Sequence, residues 1–141
     1  MPTAFALRII TRNGVLFDRQ VEHVRLPVTD GTLGVMAYHA PLVAELSYGS
    51  IAVRQPGSDK VTLFSCTGGV LHVSREEPVT VLLDAGERAE DIDLERARVS
   101  EERARARIAQ ASRDQSIDLE RATAALERAL AREETYQKRF P

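Results

Sequence analysis

The chain has 141 residues, enough for one domain of ordinary size or a small domain with an appendage. Charged residues make up 28% and hydrophobic residues 43%, and the net charge is −2, a globular composition that argues against nucleic acid as a partner. A single cysteine, Cys66, excludes an internal disulfide and a multi-cysteine zinc site. No apolar run reaches the length of about 18 residues that a membrane-spanning helix needs. The N-terminus lacks the basic, apolar and small-residue order of a signal peptide, so the cytosol is the expected compartment.

Taken in chain order, Phe5–Thr11 reads as a strand. Asn13-Gly14 follows as a hairpin signal, because both central residues of a type I′ turn need positive φ, and Val15–Phe17 continues beyond it. Glu22–Leu26 alternates, with Glu22, Val24 and Leu26 on one face and His23 and Arg25 on the other. Asp30-Gly31 marks the next turn. Further strands are expected at Leu42–Leu46, Ser50–Arg54, Val61–Cys66, Val70–Ser74 and Val79–Leu83. The breaks between them fall at Tyr48-Gly49, Gln55–Asp59, Gly68-Gly69 and Arg75–Pro78. This spacing predicts an antiparallel sandwich or flattened barrel. Gly68-Gly69 precedes no helix and is expected to permit a bend, not to cradle a dinucleotide.

Composition changes near Gly86. Every glycine lies at or before that residue, and residues 87–140 contain neither glycine nor proline. Residues 1–86 carry 15 charged side chains and residues 87–141 carry 25. The chain therefore divides into a strand-rich part, 1–86, and a helical part, 87–141. Helices are expected over Asp91–Gln110 and Ser116–Lys138, with Asp91 and Ser116 as N-caps and a short polar connection that favours an antiparallel hairpin. The hexapeptide Ile92–Ala97 recurs as Ile117–Ala122, the same helix-start chemistry used twice. The apolar stripes are thin: Leu119, Ala122, Leu126, Ala129 and Leu130 on the second helix, and Ile92, Val99, Ala104 and Ile108 on the first. Alanine buries little area, so the hairpin is expected to be marginally stable alone and to dock on something else as a mobile element.

Catalytic signatures are sparse. The chain has no GxxxxGK[ST] phosphate loop and no GxSxG elbow, and its two lysines are Lys60 and Lys138. His23, His39 and His72 lack metal-ligand spacing. His39 sits in a loop, where functional residues concentrate. Cys66 reads as a small core hydrophobe. Arg103, Arg105 and Arg107 are balanced by acids, including Glu102 beside Arg105, in the pattern of a solvated helix face.

Leu26-Pro27, Asp30-Gly-Thr-Leu-Gly34, His39-Ala-Pro-Leu42, Gly68-Gly-Val-Leu71 and Val79-Thr-Val-Leu82, followed by the Ile92–Ala97 helix start and a charged two-helix tail, resemble the epsilon subunit of bacterial F-type ATP synthases in order and spacing. The resemblance covers essentially the whole chain. It implies an antiparallel ten-stranded β-sandwich over 1–86 that binds the gamma subunit and the c-ring. It implies an antiparallel helical hairpin over 87–141 that regulates: folded down on the sandwich, or extended toward the alpha and beta subunits of the catalytic head, where it inhibits ATP hydrolysis. Such a subunit is a non-catalytic rotor component coupling ion flow to ATP synthesis. It needs no cofactor or metal, and it is peripheral to the cell inner membrane, on the cytoplasmic side, through the complex alone.

The resemblance also implies roles for particular residues. Some members of the family bind ATP as a regulatory ligand between the helices, through the motif I(L)DxxRA. Here Ile92, Asp93, Arg96 and Ala97 meet it. Glu87 stands at the family's acidic contact, and Arg128 and Arg132 match its arginine pair, whose i,i+4 spacing aims two guanidinium forks from one face. His39 corresponds to a gamma-subunit contact, and Asp30, Gly31 and Thr32 to the c-ring-facing loop. Two positions depart from the pattern. Thr32 stands where an acidic residue is common, and Tyr38 stands where the family's loop has glycine, so a change in that loop's backbone is expected. Two other readings stay open on the residues themselves: a free-standing ATP-sensing module, and a small β-sandwich enzyme using His39.

Overall fold

The computed structural model describes residues 4–139, with strands up to Leu83 and two α-helices from Leu94 onward. The strands are β1 (Phe5–Thr11), β2 (Gly14–Val21), β3 (His23–Val28), β4 (Gly31–Val35), β5 (Leu42–Arg54), β6 (Val61–Val73) and β7 (Val79–Leu83). They form one continuous sheet in the order β2-β1-β7-β6-β5-β3-β4, which folds over a single core. Neighbours pair antiparallel except β1 and β7, which run parallel from Leu7↔Val79 to Ile10↔Leu82.

The expectation of ten antiparallel strands is corrected to seven strands in a mixed sheet. The reason lies in the expected breaks. Tyr48-Gly49 lies inside β5 and Gly68-Gly69 bends β6 without ending it, so β5 and β6 each run for 13 residues and pair along almost their whole length. Gly68 and Gly69 hold φ of +98° and +149°, a backbone that other residues rarely adopt. The alternation of buried residues slips there, from Phe64 and Cys66 before the bend to Leu71 and Val73 after it. The turn at Asp30-Gly31 leads into β4, which the reading of the sequence did not include.

The core is set by alternation. Leu7 and Ile9 of β1, Val24 and Leu26 of β3, Ile51 and Val53 of β5, and Val79 and Val81 of β7 are all buried. Phe17 packs edge-on against Phe64 with ring centroids 5.5 Å apart. Cys66 belongs to this core; its thiol donates to the Ser47 carbonyl at 3.3 Å, and burial pushes it up to about 11.

A short 3-10 turn, Ala89–Asp91, joins the sheet to α1 (Leu94–Ala111), and α2 (Leu119–Lys138) returns antiparallel against it. The N-caps are Asp93 and Asp118, not Asp91 and Ser116. Asp91 is taken up in the 3-10 turn, and Ser116 gives both its backbone and hydroxyl donors to Asp114 Oδ1 in the connection. Asp93 Oδ1 accepts from the Arg96 amide at 3.1 Å, and Asp118 Oδ1 from the Arg121 amide at 3.2 Å. The repeated hexapeptide thus starts both helices with the same bond. Leu119, Leu130 and Val99 are exposed, contrary to the expected stripes. The buried helix residues are Ala97 and Ala104 on α1 and Ala122, Ala129, Ala131 and Thr135 on α2. Small side chains let the helices approach one another and the sheet closely. Arg105 pairs with Glu101 at 2.6 Å, one turn earlier, and not with Glu102.

Candidate functional site

The hairpin lies on the sheet through α2, over the central stretches of β5 and β6. Three contacts define this seam. The Thr135 hydroxyl donates to the Ala131 carbonyl at 2.8 Å, which spends its one proton, so Ser50 Oγ of β5 donates to Thr135 Oγ1 at 2.6 Å. Arg132 Nε donates to Glu87 Oε1 at 2.5 Å, with both side chains largely covered. Ser65 of β6 exchanges bonds with Glu87: its backbone amide donates to the Glu87 carbonyl at 2.9 Å, and the Glu87 amide donates to Ser65 Oγ at 3.1 Å. Glu87 is thereby fixed in backbone and side chain.

Above this seam lies a groove of about 480 Å³, in the range of small-molecule sites. Glu87, Arg128 and Arg132 line it, together with Ser65, Thr67, Asn13, Ala125 and, from α1, Ser100. Three residues that the resemblance assigned to ATP therefore share one groove. The other four occupy the start of α1, outside its lining: Ile92 and Ala97 are buried, Asp93 caps the helix, and Arg96 is exposed. Arg128 is exposed and Arg132 is held by Glu87, so a phosphate entering the groove would meet one available guanidinium and compete with Glu87 for the other. Among the described residues, no group of His, Cys, Asp or Glu side chains is placed to hold a metal ion, and no helix is long and apolar enough to cross a membrane.

His39 and the Asp30–Thr32 turn lie at opposite ends of the β3–β4 hairpin. Asp30, Gly31 and Thr32 form its exposed tip, with Gly31 opposite Val28. The loop after β4 carries His39, half-buried, with Nδ1 2.7 Å from the Ala40 carbonyl oxygen and its amide bonded to the Met36 carbonyl at 3.3 Å. Tyr38 is the one described non-glycine residue at positive φ, +65°, and is 90% exposed. His39 and Tyr38 line a groove of about 750 Å³ with Phe5, Arg75, Glu77 and Pro78.

One feature was missed in the sequence. Val15, Ile10, Leu82 and Val70 pair in turn across β2, β1, β7 and β6, making an outward-facing apolar row in which Val15, Leu82 and Val70 are exposed. The doublets Ile9-Ile10, Leu82-Leu83 and Val70-Leu71, apolar on both faces of a strand, were the available signal. An apolar surface of this kind on a β-sheet marks a contact site.

Comparison with known proteins gives a consistent answer. Residues 4–89 match the β-sandwich domain of the ATP synthase Delta/Epsilon chain, and residues 90–136 match its long α-helix domain. The ATP synthase epsilon chain of Halalkalibacterium halodurans is 39% identical over 114 residues, covering 81% of this chain and 83% of the relative. That of Pelotomaculum thermopropionicum is 42% identical over 104 residues, covering 74% and 75%. A chain in the cryo-EM structure of the Euglena gracilis mitochondrial ATP synthase, OSCP/F1/c-ring in rotational state 1, superposes with a TM-score of 0.75 at 25% identity, covering 90% of this chain and 78% of that one. With both domain matches in register with the observed strands and helices, the chain belongs to the ATP synthase delta/epsilon family, as an epsilon chain of the bacterial type.

Proposed function

We propose that the chain is the non-catalytic epsilon subunit in the central stalk of an F-type ATP synthase, with a β domain that joins the rotor and a hairpin that regulates ATP hydrolysis. The observation that carries this reading is the seam under α2. The sandwich closes its own hydrophobic core without the helices, while the buried side chains of α2 among the described residues are three alanines and one threonine, joined by the Arg132–Glu87 ion pair. An element held this lightly can leave the sheet without unfolding it.

Partners follow from the geometry and the family. The apolar row Val15–Ile10–Leu82–Val70 and the His39 loop suit the gamma subunit, with His39 a contact residue. The exposed Asp30-Gly31-Thr32 tip, at the far end of the β3–β4 hairpin, suits the polar loops of the c-ring. The extended hairpin reaches the alpha and beta subunits of the catalytic head. The protein then stands on the cytoplasmic side of the cell inner membrane, held there by the complex.

ATP is the regulatory ligand proposed for the groove of Glu87, Arg128 and Arg132. The arginines would take the phosphates, and the start of α1, with Ile92, Asp93, Arg96 and Ala97, would supply the remaining contacts. No hydrolysis is assigned to the chain. Two experiments test the reading. A complex reconstituted with the chain lacking residues 87–141 is expected to assemble and to hydrolyse ATP faster; failure to assemble would overturn the division of labour. Calorimetric titration of the full chain with ATP is expected to show saturable binding that Arg128→Ala abolishes; no heat at millimolar ATP would remove ATP from the account and leave the rotor assignment standing.

A further inference from the structure

Three nitrogen-rich side chains stand together on the outward face of β3 and β5. The register pairs His23 with Arg54 and Arg25 with Ala52, while the alternate residues Val24 and Val53 are buried in the core. His23 and Arg54 are thus directly opposite, and Arg25 lies diagonal to Arg54, about 7–8 Å away on such a ladder. Together with Ala52 and Val61 they line a groove of about 440 Å³. The short side chain of Ala52 leaves the groove open beside Arg25. On the other side Arg25 is paired with Gly34, and a Cβ there would stand 3.1 Å from His23 Nε2, so the imidazole leans over Gly34.

Positive charges gathered on one sheet face weaken it unless something negative stands among them. The chain supplies little. Glu22 Oε2 is 3.7 Å from Arg54 Nε, a loose contact, and its other carboxylate oxygen accepts from the Gly57 amide at 3.3 Å. Among the described residues no carboxylate lies within ion-pair distance of Arg25, which is exposed. Burial, then Arg54 and Arg25, hold the His23 imidazole below its ordinary value, in keeping with uncompensated positive charge around it.

We propose that His23, Arg25 and Arg54 form a binding site for the phosphate group of a small ligand. Two guanidinium charges match a phosphate dianion, their planar forks suit its oxygens, and the His23 ring adds a further donor. Val61, itself exposed, also lines a second groove of about 730 Å³ with Leu63, both of the chain's lysines, Lys60 and Lys138, and the acids Asp59 and Glu90. The body of a phosphate ester therefore has a partly apolar surface to lie on beyond Val61. The site shares no lining residue with the groove of Glu87, Arg128 and Arg132, and it rests on neither the rotor nor the ATP reading.

The test is an NMR titration of the full chain with inorganic phosphate at neutral pH and constant ionic strength, following the His23 ring and the arginine side-chain signals. Saturable shifts at His23, Arg25 and Arg54 are expected. Arg25→Gln should weaken binding about tenfold or more, the share of a charge-assisted hydrogen bond. Arg103→Gln, which removes the same charge from an exposed position on α1, should leave the affinity unchanged. Arg25 has no carboxylate partner to lose, so its variant is expected to fold, and an unchanged amide spectrum away from the groove verifies this. A second titration with phenyl phosphate separates the sources: tighter binding than phosphate at the same residues identifies an ester, and equal affinity identifies the free anion. Shifts that do not saturate, or equal affinity in Arg25→Gln and Arg103→Gln, overturn the proposal.

Discussion

Replacing Thr135 by valine tests how lightly the hairpin is held. Thr135 is fully buried, and valine keeps its shape while deleting the hydroxyl that accepts from Ser50. The fully buried apolar part of the seam is small: Ala129, Ala131 and the Thr135 methyl amount to three methyl-sized groups, roughly 2–3 kcal/mol at about 0.8 kcal/mol each, with the partly covered Leu130 beside them. The part-covered Glu87–Arg132 pair adds up to about 1 kcal/mol. Losing the hydroxyl bond, with Ser50 half-buried and able to find some water, costs about 1–2 kcal/mol, a large share of that total. The docking equilibrium should shift about 5- to 30-fold toward release. Amide hydrogen exchange reads this directly: protection in α2 should fall by that factor while the β5–β6 ladder keeps its own. Adding Ser50→Ala should recover much of the loss, because both partners are then removed. Unchanged protection in Thr135→Val, or equal loss in α2 and the sheet, would refute the idea of a separable hairpin.

Three further outcomes are expected. Gly69→Ala would set a Cβ 2.1 Å from the Leu82 carbonyl oxygen on a backbone at φ +149°, so it should destabilise the β domain by about 3 kcal/mol or more in a urea melt; a midpoint within experimental error of the parent would contradict the bend. Tyr38→Gly should stabilise by about 0.5–1 kcal/mol, since it relieves the left-handed backbone at an exposed position, and a lowered melting temperature would count against that reading. Cys66, buried and pushed up to about 11, should resist iodoacetamide at mildly alkaline pH until the chain is unfolded in urea; rapid labelling of the native chain would place the thiol elsewhere.

The division into a strand-rich and a helical part was legible because glycine and proline stop where the helices begin. Alternation at Glu22–Leu26 and the Asn13-Gly14 turn placed their strands directly. The parallel β1–β7 pair was not legible, because it joins segments about 70 residues apart that carry no mutual signal in sequence. Strand count failed at Gly49 and Gly68-Gly69 for a related reason: glycine marks a departure from ordinary backbone, but sequence does not say whether the ladder continues past it. At the helix starts the right hexapeptide was recognised but the cap was placed on the residue before it and not on the Asp inside it, since Asp91 is drawn into a 3-10 turn whose Ala89 is buried and Ser116 is taken up by Asp114. Arg128 and Arg132 could be paired by helical spacing.

The central claim is that the hairpin regulates by leaving the sheet. Ser50→Cys/Thr135→Cys places two thiols where hydroxyls now lie 2.6 Å apart, a separation suited to a disulfide, and Cys66 is buried away from solvent. The ATP hydrolysis rate of a complex reconstituted with this variant, measured oxidised and then reduced, is the direct measurement. The account predicts fast hydrolysis while the hairpin is locked down and slower hydrolysis once reduction frees it. Equal rates in both states, with the crosslink verified, would contradict it.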